Sequence, residues 1–365
     1  MEKTNMKKNN SKEELLVQAL RFHSQGNIIE AEKYYQIFLI QGFYDARVYA
    51  NLGEIMRTKK NLKEAELFTL KAIKLAPNFP NAHSNLGLIL MQKGDLKEAE
   101  LSFRKAIKLA PNLPDAHSNL GLILMRKGNL KDAELSFRKA IENKPDLIEA
   151  NLNLGLILMR KGNLKDAELS FRKAIENKPD LIEANLNLGL ILMQKGDLQE
   201  AELSFRKTIK LAPNLSNAHS NLGLILIQKG NLKEAELSFR KAIKLAPNLS
   251  NAHSNLGLIL MRKGDLQEAE LYVRKAIELN PNLIEAHFNL GNILKDIGNL
   301  KEAELSLRKA IELKPDLIEA YFKLGIILRE IGNLKEGRLF SEKIMSLRSW
   351  SIMGSYMANY EMKLG

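Results

Sequence analysis

Residues 80–113 read PNAHSNLGLILMQKGDLKEAELSFRKAIKLAPNL, and this stretch sets the reading of the whole chain. Apolar residues fall at helical spacing twice, through Leu86, Ile89 and Leu90 and then through Leu96, Ala99, Phe103, Ala106 and Ile107. Between the two runs stands Lys93-Gly94-Asp95. The glycine can take the left-handed conformation that ends a helix, and Asp95 can cap the next one, with Glu98 three residues on completing a capping box. Asn129 with Asp132 repeats that spacing, and Asp146 with Glu149 and Asp180 with Glu183 are placed to restart a following first helix. Pro111 stops the second run. A pair of short helices cannot bury its apolar faces alone, so neighbouring pairs must stack.

The pattern recurs at a constant interval of 34 residues, from Gly53 through Gly87 and Gly121 to Gly325, from Ala65 to Ala303 and from Pro77 to Pro315. Counting each unit from seven residues before its glycine gives ten units over 12–351. Residues 119–159 are identical to 153–193, the mark of a recent internal duplication. Residues 1–11, basic and rich in asparagine, are expected to be a disordered tail. The unit at 12–45 diverges, with Ala19 for the glycine and Phe43 for the proline. The unit at 318–351 diverges too, with Gly337, Ser341 and Ile344 where Ala, Phe and Ala are expected. Residues 352–365 leave the period and read as a capping helix or the start of a further domain.

Asn85-Leu86-Gly87, Gly94-Asp95, Ala99, Phe103, Ala106 and Pro111 together resemble the tetratricopeptide repeat, whose signature has Leu-Gly, Ala, Phe, Ala and Pro at these offsets in 34 residues. The resemblance covers nine units well and the first poorly. It implies an all-α fold, a right-handed superhelical solenoid of about ten helix-turn-helix units. Where the family carries a large aromatic at the fourth position, this chain has His83, His117, His219, His253 or His287, with Asn151 and Asn185 in the middle and Tyr only at Tyr49 and Tyr321. That departure lightens the core.

Composition narrows the chemistry. The 365 residues contain no cysteine, which excludes disulfides, thiolate metal sites and thiol redox chemistry. Five of the six histidines occupy one position per unit, and neighbouring helices about 10 Å apart cannot bring them within the roughly 2 Å that zinc demands; packing explains them better than ligation. No helical His-Glu-x-x-His, nucleophile elbow, phosphate loop or dinucleotide fingerprint occurs. No catalytic group, metal or cofactor is therefore expected, and the chain reads as a non-enzyme. Uncharged stretches such as LNLGLILM are too short to span a bilayer and no signal sequence is visible, so a cytoplasmic protein without membrane contact is expected. A net charge of +12 attracts acidic partners loosely, but near-identical units with few aromatics do not make a nucleic-acid reader.

The first helices carry the more informative pattern. Their sixth position is asparagine in eight consecutive units, Asn51, Asn85, Asn119, Asn153, Asn187, Asn221, Asn255 and Asn289. Helical geometry sets it opposite the core face, and the resemblance implies that this side lines the concave surface of the superhelix. A carboxamide has donors and an acceptor, so it can hold a peptide backbone whatever the side chains are. Rungs about 10 Å apart meet an extended strand about every third residue. The ladder is similar to the one in the repeat arm of O-GlcNAc transferases, which implies a role with peptide backbone. The competing reading is an amide satisfied by its neighbouring helix.

Beside the ladder the ninth and twelfth positions pair Leu88 with Met91, Leu122 with Met125, Leu156 with Met159, Leu190 with Met193, Leu224 with Ile227 and Leu258 with Met261. Glu54 with Arg57 and Asn292 with Lys295 take these places in flanking units, so the apolar pairs are not demanded by stacking alone. Adaptable methionine suits varied apolar side chains. At the polar rim Arg126, Arg160 and Arg262 are placed to meet acidic residues. The expected function is a protein–protein interaction scaffold binding an extended, partly apolar peptide. The alternatives are the substrate-presenting arm of an O-GlcNAc-transferase-like enzyme whose catalytic domain lies outside this chain, and a groove closed by a second copy in a homodimer.

Overall fold

The structure, a computed structural model, describes residues 11–340 and Lys343. The expected tail at 1–10, the segment 352–365 and the divergent Ser341 and Ile344 lie outside the described residues. Every regular element among the described residues is helical. They divide into two compact bodies at Leu181 and Ile182. In the first, α1 (Lys12–Ser24) pairs with α2 (Ile28–Ile40), α3 (Ala46–Thr58) with α4 (Leu62–Leu75), α5 (Pro80–Lys93) with α6 (Leu96–Leu109), α7 (Pro114–Arg126) with α8 (Leu130–Asn143) and α9 (Ile148–Arg160) with α10 (Leu164–Asn177). In the second, α11 (Ile182–Lys195) pairs with α12 (Leu198–Leu211), α13 (Ser216–Gln228) with α14 (Leu232–Leu245), α15 (Ser250–Lys263) with α16 (Leu266–Leu279) and α17 (Ile284–Ile297) with α18 (Leu300–Leu313). There α19 (Ile318–Glu330) is followed by α20, which begins at residue 334. Second helices pack on the next first helices, and first helices touch first helices, as α3 touches α5 and α15 touches α17.

The hairpin of α5 and α6 shows why these residues fold so. Gly94 turns the chain at φ 90°, a conformation that costs other residues about 1–2 kcal/mol. The second helix then presents Ala99, Phe103 and Ala106, all fully buried, against Ala82, Ile89 and Leu90 of the first. Gly87 lets the Phe103 ring approach: a Cβ there would lie 2.8 Å from ring atoms. Burying each such phenylalanine stabilises the stack by roughly 1.5–3 kcal/mol. In the divergent first unit Ala19 is buried, and Tyr35 takes the place of the phenylalanine.

The caps differ in part from expectation. Asn61, Asn129, Asn163 and Asn231 accept the backbone N–H three residues on at 3.3–3.4 Å. Asp95, Asp197 and Asp265 do not cap. Their carboxylates lie 3.6, 3.2 and 3.5 Å from Lys93, Lys195 and Lys263, two residues earlier, whose charge outcompetes a neutral N–H. Asn129 and Asp132 join side chain to side chain at 2.7 Å instead of closing a box. Leu147, not Asp146, occupies the cap position of α9, with no side-chain bond. A complete capping box forms at Ser11 and Glu14, so Ser11 belongs to the first helix and not to a tail.

A recurring lysine–glutamate ion pair joins successive units, and in the second body arginine–glutamate pairs such as Arg240 with Glu268 at 2.9 Å join them as well. In the first body Lys93 reaches back to Glu66 at 2.9 Å, Lys127 to Glu100 at 2.7 Å and Lys161 to Glu134 at 2.7 Å, and Lys59 is joined to Glu32. In the second, Lys229 meets Glu202 at 2.5 Å and Lys263 meets Glu236 at 2.8 Å. Glu100 also holds Arg104 at 2.8 Å. The hydrogen bond from Lys127, assisted by Arg104, keeps the Glu100 carboxyl below its ordinary pKa against the opposing effect of burial.

Candidate functional site

The asparagine row lies on one side of the first helices, but its amides are not equivalent. Asn119, Asn153 and Asn187 each donate Nδ2 at 2.8 Å to a carbonyl one turn earlier, that of Asp115, Glu149 and Glu183 respectively. Those carbonyls sit within the helical ladder, so the extra bond is a local back-bond and not a tertiary tie. Asn51 donates to the Tyr35 hydroxyl at 2.8 Å, Asn85 to the Ala50 carbonyl at 3.4 Å and Asn289 to Ser254 Oγ at 3.3 Å. Asn221 and Asn255 make no side-chain bond to a described residue. The sequence leaves both readings standing for these amides, free rungs or amides satisfied within the chain, and six of the eight commit one N–H within the chain. Four residues before Asn119, Asn153 and Asn187 stand Asp115, Glu149 and Glu183, and four before Asn221 and Asn255 stand Asn217 and Asn251.

The two uncommitted amides face the same hollow. A cavity of about 560 Å³ in the second body is lined by Leu186 and Leu190 of α11, by Asn217, Ser220, Asn221 and Leu224 of α13, and by Asn251, Ser254 and Asn255 of α15, with Leu283 and Glu285 closing it. A smaller hollow of about 300 Å³ occupies the equivalent place in the first body, between α3, α5 and α7, with Asn51, Asn85 and Leu88 in its lining. Both are built from first helices. Asn217, Asn251, Ser220 and Ser254 were missed from sequence, although the second position falls on the ladder's side of the helical projection.

The apolar pairs are half-buried. Leu88, Met91, Leu122, Met125, Leu156 and Met159 in the first body, and Leu190, Met193, Leu224, Ile227, Leu258 and Met261 in the second, are all intermediate in exposure. The polar residues that replace them in flanking units are poorly served: Arg57 Nε and Asn292 Oδ1 are buried without a hydrogen-bond partner. Stacking therefore does favour apolar side chains at these positions, and the pairs act as packing and lining together. Arg126, Arg160 and Arg262 are exposed, with no ion pair to a described residue.

The fourth-position residues have a definite structural use. His83 Nε2 lies 2.8 Å from the Pro77 carbonyl, His117 2.7 Å from that of Pro111, His219 2.9 Å from that of Pro213, His253 2.9 Å from that of Pro247 and His287 2.8 Å from that of Pro281. A carbonyl only accepts, so Nε2 carries the proton. Asn151 and Tyr321 donate to Pro145 and Pro315 at 2.9 and 3.1 Å in the same way. The polar residue is thus a latch between a first helix and the loop before it. Among the described residues no group of His, Cys, Asp or Glu could hold a metal ion, and no helix is long and apolar enough to cross a membrane.

Two-helix units stacked side by side, with amides and leucines lining hollows, define a repeat scaffold suited to protein–protein interaction. Residues 118–323 match the family model of the cilia and flagella-associated protein 70 C-terminal domain, and residues 87–128 and 46–79 match tetratricopeptide repeat models. The chain belongs to the tetratricopeptide repeat proteins, and through residues 118–323, more than half its length, to the family of that C-terminal domain. No curated protein matches the chain. Among solved structures, Pseudomonas aeruginosa pilF is 21% identical over 57% of this chain and 94% of its own, with a TM-score of 0.49. YrrB, described as a tetratricopeptide repeat protein with an unusual peptide-binding site, is 26% identical over 50% of this chain and 95% of its own, with a TM-score of 0.44. MamA is 27% identical over 44% of this chain and 95% of its own, with a TM-score of 0.43.

Proposed function

We propose that this protein is a non-catalytic scaffold whose first-helix face holds an extended, partly apolar polypeptide segment. The observation that carries this reading is that Asn221 and Asn255, the two rungs with no side-chain bond to a described residue, line one hollow together with Leu186, Leu190 and Leu224. Each carboxamide can donate to a peptide carbonyl and accept from a peptide N–H, while the leucines take side chains. Asn187 extends the row within the second body by turning from its back-bond, since a helix carbonyl keeps its ladder bond when the amide leaves, and Asn119 and Asn153 can do the same within the first body. The paired Leu and Met residues give the face its tolerance of different apolar side chains, and the exposed arginines bias it toward acidic neighbours.

The test is selection of peptides from a random displayed library on the full chain. Selected peptides should bind at least about tenfold more weakly to N221A/N255A, and about tenfold more weakly when the contacting peptide bonds are N-methylated, a factor of ten being about 1.4 kcal/mol. Equal binding by the variant, or indifference to N-methylation, removes the backbone-holding role.

A further inference from the structure

The second helices of the first body carry a feature that the groove does not use. Leu67, Leu101, Leu135 and Leu169 recur at the same position and are 51–61% exposed, although the preceding glutamate is tucked in: the Glu100 and Glu134 side chains are only 15% exposed. The order of the pair is decisive, because the carboxylate is taken by the ion pairs that join the units and the leucine is left facing outward. Each leucine is flanked by lysines four residues before and four after, such as Lys97 and Lys105 about Leu101. Of these lysines Lys139 meets Glu142 at 2.6 Å, and Lys71 lies over the rings of Tyr49 and Phe68. Lys63, Lys97, Lys105, Lys131, Lys165 and Lys173 have no ion pair among the described residues.

We propose that this outer row is a second docking surface, and that its occupant is an acidic amphipathic α-helix of a partner protein. The dimensions select it. Lysines eight residues apart on one helix stand about 12 Å apart, and an α-helix with its side chains is about 10–12 Å across. A helix laid over the leucines fills the space between the two lysine rows, with carboxylates on its flanks meeting both. Along the row the leucines recur once per unit, and an α-helix returns the same face about every seven residues, a rise of about 10.5 Å. An apolar residue at every seventh position therefore keeps one face of such a helix toward the row. An extended strand is too narrow to reach both lysine rows, and a flat lipid surface meets the longer lysines before the leucines between them. In the second body Leu203, Leu237, Leu271 and Leu305 continue the motif, but Gln199 and Gln267 replace lysines there, so the first body carries the more complete site.

The probe is a synthetic peptide of about 21 residues, long enough to follow three rungs, with leucine at every seventh position and glutamate on both flanks. Its binding to the full chain is read by fluorescence anisotropy, beside the same peptide with lysine for glutamate and vesicles of equal parts phosphatidylcholine and phosphatidylserine. The acidic peptide should bind, and the lysine peptide should not. Both L101Q/L135Q/L169Q and K97E/K131E/K165E should weaken binding at least about tenfold with unchanged circular dichroism, since all six side chains are exposed. N221A/N255A should leave it unchanged. The proposal is overturned by no binding, by undiminished binding to the leucine variant, by loss in N221A/N255A alone, or by leucine-dependent capture of the vesicles in place of the peptide.

Discussion

Phe137 of α8 presses its ring against Gly121 of α7 so closely that a Cβ on the glycine would lie 2.9 Å from the ring. Gly155 meets Phe171 at 2.8 Å and Gly223 meets Phe239 at 2.7 Å by the same measure. An alanine in the helix would gain about 1 kcal/mol of intrinsic propensity, but overpacking costs about 1–3 kcal/mol. The expected outcome for Gly121→Ala is a net loss of about 1 kcal/mol in urea unfolding. Gly128→Ala, in open space at φ 79°, should lose about 1–2 kcal/mol for the left-handed backbone alone. Phe137→Leu separates the two causes. Combined with Gly121→Ala it should show non-additive stability, and combined with Gly128→Ala it should add simply.

The histidine latch gives a sharper substitution test. His117→Leu removes the bond to the Pro111 carbonyl at 2.7 Å; Pro111 is exposed, so water can reach that carbonyl, and the loss should be about 0.5–1.5 kcal/mol, the net worth of a hydrogen bond. His117→Asn should restore most of that stability, because Asn151 already makes the equivalent bond to Pro145 at 2.9 Å. Thermal melts of the two variants check the ranking. A chelator should leave the melting temperature of the unsubstituted protein unchanged, since Nε2 of each latch histidine is committed to a carbonyl and among the described residues no group of His, Cys, Asp or Glu could hold a metal ion.

How much of this was legible depends on how local its cause is. The hairpins were legible because the glycine turn, the apolar spacing and the 34-residue period each act within one unit. The failure of Asp95 to cap and the back-bond of Asn119 were not, because each is decided by a competing neighbour. Lys93 attracts the first, and the turn at Asp115 offers a carbonyl to the second. The latch required knowing that the residue six after the proline returns to its carbonyl. The outward leucines escaped notice because Glu100 and Leu101 are adjacent in sequence, and only the stacked units show that the carboxylate, held by Lys127, is the better covered of the two.

The asparagine row should separate by stability before any partner is known. Asn187→Ala removes a back-bond of 2.8 Å on an accessible helix face, and Asn221→Ala removes none. Both should cost less than about 1 kcal/mol, the net worth of an ordinary hydrogen bond. Asn289→Ala is different. Its amide is buried and bonded to Ser254 Oγ at 3.3 Å, so its loss should cost about 1–3 kcal/mol. Urea unfolding of the three single variants gives the order, and a costly Asn221→Ala would mean that the amide has a structural use.

Acid should loosen the joints between units before it affects the buried stacks. Glu100, Glu134, Glu202 and Glu236 all have carboxyl pKa values lowered from 4.5, first by the hydrogen bond from the lysine of the next unit and then by the arginine one turn on. A carboxyl depressed in the folded state contributes stability above its unfolded value and loses it as pH falls through the folded value. The melting temperature should therefore hold between pH 7 and about pH 5 and decline progressively below about pH 4.5. The partner lysines are about half exposed, so each pair contributes at most about 1 kcal/mol and salt screens it. Replacing Glu100, Glu134, Glu202 and Glu236 by Gln should lower the melting temperature near neutrality by a few degrees and flatten the acid limb. Such a variant would keep the Gly121–Phe137 contact, so its hairpins should stay helical where its unfolding becomes less cooperative. A quadruple variant with an unchanged acid limb would show that the decline comes from other carboxyls.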